Sequence, residues 1–146
     1  MIAHTIQLAL APVFMLVAIG NIMNIMSTRL GRVVDRSRVV AGQHAATSGA
    51  AHDMLVNEIR GIDRRIHLIT RAILVLVISG LSIGLTVVVL FVEELAGVSL
   101  ERFAAGFFLV AVALLMWGLT LFLRETQVAA GLLRIPRELL ELDRKF

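Results

Sequence analysis

Three stretches of more than 20 residues contain no aspartate, glutamate, lysine or arginine. They are residues 5–28 (TIQLALAPVFMLVAIGNIMNIMST), 72–92 (AILVLVISGLSIGLTVVVLFV) and 103–123 (FAAGFFLVAVALLMWGLTLFL). Crossing about 30 Å of hydrocarbon takes roughly 20 apolar residues in a helix. In lipid the backbone must satisfy its own hydrogen bonds, so uniform apolar runs of this length predict helices rather than barrel strands. The fold class expected is all-α, an integral membrane protein with three transmembrane helices. Composition agrees, with 58% apolar residues against roughly 45–50% in soluble domains. The first stretch lacks a basic leading region and a small-residue cleavage site, so it reads as a retained span. Pro12 within it predicts at most a mild kink.

The charges between these stretches predict orientation. Residues 29–71 carry eight arginines: 29, 32, 36, 38, 60, 64, 65 and 71. Residues 93–102 carry Glu93, Glu94 and Glu101 with only Arg102 to offset them. The tail 124–146 is again basic, with four arginines and one lysine. Segments 29–71 and 124–146 are therefore expected on the cytoplasmic side of a bacterial inner membrane. The N-terminus and the acidic loop 93–102 are expected outside.

Apolar residues continue past the first span at steps of four and three: Ile19, Met23, Met26, Leu30, Val33, then Ser37, then Val40. Leu55, Ile59, Ile62, Ile66, Ile69, Ile73 and Leu76 repeat the pattern. Such spacing puts one apolar stripe on each helix, facing a partner. The uncharged segment AGQHAATSGAA (41–51) reads as the reversal. Residues 29–71 thus predict a cytoplasmic antiparallel helical hairpin of coiled-coil type. Its first arm should extend about three turns beyond the span, and Arg32 or Arg36 would face Glu58 or Asp63. In the tail, Val128, Leu132, Ile135, Leu139, Leu142 and Phe146 outline an amphipathic helix restarting at Pro136, which suits a first helical turn.

Leu10-Ala11-Pro12-Val13-Phe14, Asn24, Arg29-Leu30-Gly31-Arg32 and Val34-Asp35-Arg36, with Arg64-Arg65 leading to Arg71-Ala72, resemble an uncharacterised bacterial membrane-protein family, domain of unknown function 2721. The resemblance spans about the first 90 residues. It implies a small bacterial inner-membrane protein and brings no catalytic or ligand-binding residues with it.

Asn21 and Asn24 stand on a different face from the apolar seam, with Gln7 two heptads before Asn21 and Thr28 one heptad after it. Around an axis of several copies, Gln7, Asn21, Asn24 and Thr28 would line a polar, uncharged pore. In the alternative reading they are hydrogen-bonding glue between helices, or simply mark the interface. Glu93, Glu94 and Glu101 would form the outer acidic mouth of such a pore, or a solvated loop. Ser79, Ser82 and Thr86, beside Gly80 and Gly84, read as a close-packing face. Arg29, Arg32, Arg36, Arg64, Arg65 and Arg71 fit topology and anionic lipid headgroups.

No nucleic acid is expected as a partner, because segment 29–71 lacks aromatic residues and its net charge is only +4, eight arginines against Asp35, Asp53, Glu58 and Asp63. The chain has no cysteine, and His4, His44, His52 and His67 have no metal-ligand spacing. With neither paired catalytic groups nor a phosphate loop, an enzyme is not expected, nor a cofactor. The function predicted is a small homo-oligomeric inner-membrane protein that forms an ion-conducting pore. The alternative is a non-conducting scaffold or accessory subunit that binds a protein partner through its hairpin and tail. Membrane lipids are partners in both.

Overall fold

The computed structural model describes residues 2–132. Among them there are three helices: α1 (Ile2–His44), α2 (Ala50–Ala96) and α3 (Glu101–Leu132). All three are long and apolar enough to cross a membrane, which suggests a membrane protein. The helices outrun any bilayer: the 47 residues of α2 extend roughly 70 Å at 1.5 Å per residue, against about 30 Å of hydrocarbon. Each apolar stretch therefore occupies one end of a longer rod.

α1 runs through Pro12 without ending. It also runs further than the sequence suggests, because Ala41, Gly42, Gln43 and His44 stay helical. The 16 residues from Arg29 to His44 make more than four turns. The reversal shrinks to residues 45–49, closed by an Ala46 N–H donating to Gln43 O at 3.1 Å. At the other end of α2, Gly97 adopts the left-handed φ of 65° and donates its N–H to Glu93 O. That is a conformation glycine adopts without steric cost.

α2 is the centre of the molecule. It packs along α1 on one side and along α3 on the other, while α1 and α3 meet only locally. The α1–α2 seam is built from residues one heptad apart. Ile19, Met26, Val33 and Val40 of α1 are buried, as are Leu55, Ile62, Ile69, Leu76 and Ile83 of α2. Met23, Leu30, Ile59, Ile66 and Ile73 flank them. The antiparallel register brings Arg36 Nε to donate to Glu58 Oε1 at 2.7 Å, one of the pairings that the sequence left open. This register places Val40 across from Leu55, Val33 from Ile62 and Met26 from Ile69.

A second α2 face meets α3. Here the heptad positions carry small residues: Ala72, Ser79 and Thr86 on α2, and Ala104, Ala111 and Gly118 on α3, all buried. Ser79 Oγ donates to Ala111 O at 2.7 Å. A Cβ built on Gly118 would lie 2.8 Å from Leu76 Cδ2 and 3.7 Å from Ala72 O, so the Leu76 side chain fills the space that an alanine methyl would take. Small residues allow this packing in lipid, where the hydrophobic effect does not drive helices together. The close-packing reading of Ser79, Ser82 and Thr86 thus has a defined partner in α3, although Ser82 and Thr86 bond back to Ile78 O and Ser82 O on their own helix.

α3 continues unbroken past Arg124 to Leu132. Its buried positions there are Glu125 and Ala129, whereas Leu132 is exposed. Leu132 nevertheless packs on Gly61 of α2, and Val128 lines the same α2–α3 cleft, so both residues expected in the stripe face α2. The amphipathic segment restarting at Pro136 lies outside the described residues.

Candidate functional site

Where the apolar stretches end at the basic side, the three helices are joined by one carboxylate. Glu125 is fully buried. Arg65 Nε of α2 donates to its Oε1 at 2.9 Å, and Arg29 Nη2 of α1 stands 2.9 Å from its Oε2. The Arg29 contact is an ion pair without hydrogen-bond alignment, so Oε2 retains an unfilled acceptor position. The Arg29 guanidinium also lies 5.2 Å from the centre of the Phe122 ring, a favourable cation–π distance. Arg29 and Arg65 keep 29% and 22% of their side-chain exposure, so each guanidinium is wet on one side and paired on the other.

The heptads place this clasp. Arg65 is one step before Ala72 on the small-residue face of α2, and Glu125 one step after Gly118 on α3. The seam that packs closely in the apolar region thus finishes in an ion pair as it leaves that region. α1, which hardly touches α3 elsewhere, is drawn in by Arg29. Sequence reasoning assigned Arg29 and Arg65 to topology and lipid headgroups, and Glu125 to the tail without a role. The available signal was the pair of small-residue heptads, which meet Arg65 and Glu125 when extended by seven.

The remaining charges are separate. Arg36 and Glu58 pair further along the stem, and that hydrogen bond, together with the Glu58 charge, raises the Arg36 pKa above its ordinary value. Arg32, Arg64 and Arg71 are exposed.

Gln7, Asn21, Asn24 and Thr28 are all exposed, on the flank of α1 turned away from α2. Positions 7, 21 and 28 lie two residues after the buried Thr5, Ile19 and Met26, about 200° around the helix. They do not meet within one chain. Thr28 Oγ1 is turned to its own helix and donates to Asn24 O at 3.0 Å. Phe14, 68% exposed, occupies the same stripe between Gln7 and Asn21 and interrupts the polar run. At the opposite end, Glu93 and Glu94 belong to the last turns of α2 and Glu101 opens α3. Glu94 accepts a 3.0 Å hydrogen bond from Thr5 Oγ1, so this carboxylate ties α2 to α1. Glu101 is exposed.

Among the described residues, no three histidines, cysteines or carboxylates gather as metal ligands. A cleft of about 680 Å³ lies between α2 and α3 and is lined by Arg71, Leu74, Trp117, Thr120, Leu121 and Arg124 among others.

Comparison with known proteins returns one family: the model of "Protein of unknown function (DUF2721)" matches residues 9–135. No curated protein matches, and no solved structure matches.

Proposed function

The chain belongs to the DUF2721 family, and we propose that it works as a homo-oligomer whose α1 helices face one another and enclose an ion-conducting path. One observation carries this reading: Gln7, Asn21, Asn24 and Thr28 all project from the α1 flank that neither α2 nor α3 covers. Polar side chains turned towards lipid are costly, and a second copy of the same helix supplies partners for them. Phe14 gives the path an apolar constriction between Gln7 and Asn21, the kind that gates by dewetting. Glu93 and Glu101 stand near one mouth. The arginines of 29–71 favour placing the α1–α2 turn in the cytoplasm of a bacterial inner membrane, with the N-terminus outside. This role requires no catalysis.

The absence of native cysteine makes a clean test available. Under oxidation in native membranes, Asn21→Cys should give disulfide-linked dimers, and Leu109→Cys, 68% exposed on α3, should not. Failure of Asn21→Cys to cross-link refutes assembly through α1. In planar bilayers the purified protein should conduct, with conductance altered by Asn21→Leu and Asn24→Leu. Cross-linking with silent bilayers would leave an assembly without a pore.

A scaffold role is favoured by a different observation. The α1–α2 stem extends 16 residues beyond the first apolar stretch, more than anchoring needs, and carries exposed Arg32, Arg38, Arg60 and Arg64. A stoichiometric partner released by shortening the stem would support it.

A further inference from the structure

The cleft between α2 and α3 has a chemical asymmetry. Its apolar part is formed by Leu74, Met116 and Trp117, which belong to the stretches long enough to cross a membrane. Its other end carries Arg71 and Arg124. Both arginines are exposed, and among the described residues neither has an ion pair, unlike Arg29, Arg36 and Arg65. Arg124 also lines the adjoining cleft of about 370 Å³, which includes Arg64 and Gln127. Arg64 stands one heptad from Arg71 on α2, so basic groups follow the groove away from the apolar stretch.

We propose that this cleft binds one anionic phospholipid of the leaflet next to the α1–α2 turn. The phosphate lies between Arg71 and Arg124, and an acyl chain runs along Leu74, Met116 and Trp117. Three physical features support a lipid rather than a soluble anion. The cations sit where an apolar groove meets the end of the uncharged stretches, the depth at which a headgroup phosphate resides. Both are arginines, whose planar forks match phosphate oxygens. The groove opens sideways, towards the surface that lipid would cover, and most of its wall is apolar. The site stands apart from the α1 flank and does not depend on how copies assemble.

Trp117 is the chain's single tryptophan and lies two turns along α3 from Arg124, so it reports occupancy directly. The protein is reconstituted into nanodiscs of neutral phosphatidylcholine with a fixed minor fraction of brominated lipid, either phosphatidylglycerol or phosphatidylcholine. Brominated phosphatidylglycerol should quench Trp117 fluorescence at least twofold more than brominated phosphatidylcholine. In Arg71→Gln/Arg124→Gln the difference should vanish, while Arg71→Lys/Arg124→Lys restores part of it. The control Arg38→Gln, on the stem away from the cleft, should keep it in full. Circular dichroism of each variant checks that the helices persist, and a variant that has lost them is replaced by the single substitutions.

Equal quenching by the two lipids in the wild type overturns the proposal. So does a preference that survives the double Gln substitution, or one lost equally in Arg38→Gln, which would mark a diffuse surface potential. If soluble inorganic phosphate at constant ionic strength abolishes the preference, the cleft is a phosphate site and the lipid assignment falls.

Discussion

Replacing Glu125 by alanine tests the structure at its most demanding point. The carboxylate is fully buried with guanidinium groups 2.9 Å away on both sides. Removing one partner from a buried pair costs about 3–5 kcal/mol, largely because the remaining charge is left uncompensated. Here two cations would be left facing each other, which raises the cost. Each retains a quarter or so of its exposure and can rehydrate, which lowers it. The expected loss is therefore at the lower end, about 3 kcal/mol, read as a shift in helix unfolding by circular dichroism in mild detergent. Arg36→Ala, which removes an exposed pair on the stem, should cost far less.

The triple variant Arg29→Leu/Arg65→Leu/Glu125→Leu distinguishes pairing from packing. Replacing a whole buried ion network by apolar groups is often neutral or stabilising, so it should recover most of the loss. Two results would refute the reasoning. One is a Glu125→Ala protein no less stable than Arg36→Ala. The other is a triple variant at least as unstable as the single, which would mean that Glu125 acts by shape rather than charge.

Gly118→Ala should destabilise by about 1–3 kcal/mol, as overpacking does, since its Cβ would meet the buried Leu76 side chain at 2.8 Å. Gly106→Ala, with nothing within 4 Å of the new Cβ, should be neutral or slightly stabilising in the same unfolding assay. Ile62→Ala in the stem should cost about 2–4 kcal/mol, the range for emptying a buried aliphatic site, and should speed proteolysis near the α1–α2 turn. Ser79→Ala should cost only about 0.6 kcal/mol, the usual scale for a side-chain hydrogen bond between membrane helices, despite its 2.7 Å bond to Ala111 O.

The helices and the α1–α2 seam were legible because their causes are periodic. Uncharged runs of 20 or more residues leave only helices in lipid. The step of four and three through Met26, Leu30, Val33 and Val40 announces a buried stripe in water, where apolar spacing is under selection by the hydrophobic effect. That same seam offered Arg32 or Arg36 to Glu58 or Asp63, and the packed helices join Arg36 to Glu58. The clasp was less legible. Within an apolar stretch every face looks equally oily, so the partner face of α2 is marked only by small residues at Ala72, Ser79 and Thr86. Small residues are common in membrane helices for several reasons. Glu125 in turn resembled any charge on a basic tail.

The sequence by itself therefore determined the number of long helices, the side on which arginines collect, and the pairing of α1 with α2. It also determined that Asn21 and Asn24 leave that seam. Only the tertiary structure decided that α3 remains one helix to Leu132, that its small-residue stripe locks against α2, and that Arg29, Arg65 and Glu125 converge. Periodicity specifies which side of a helix is buried. The choice of neighbour depends on how closely two backbones can approach, and that distance exists only once the helices are packed.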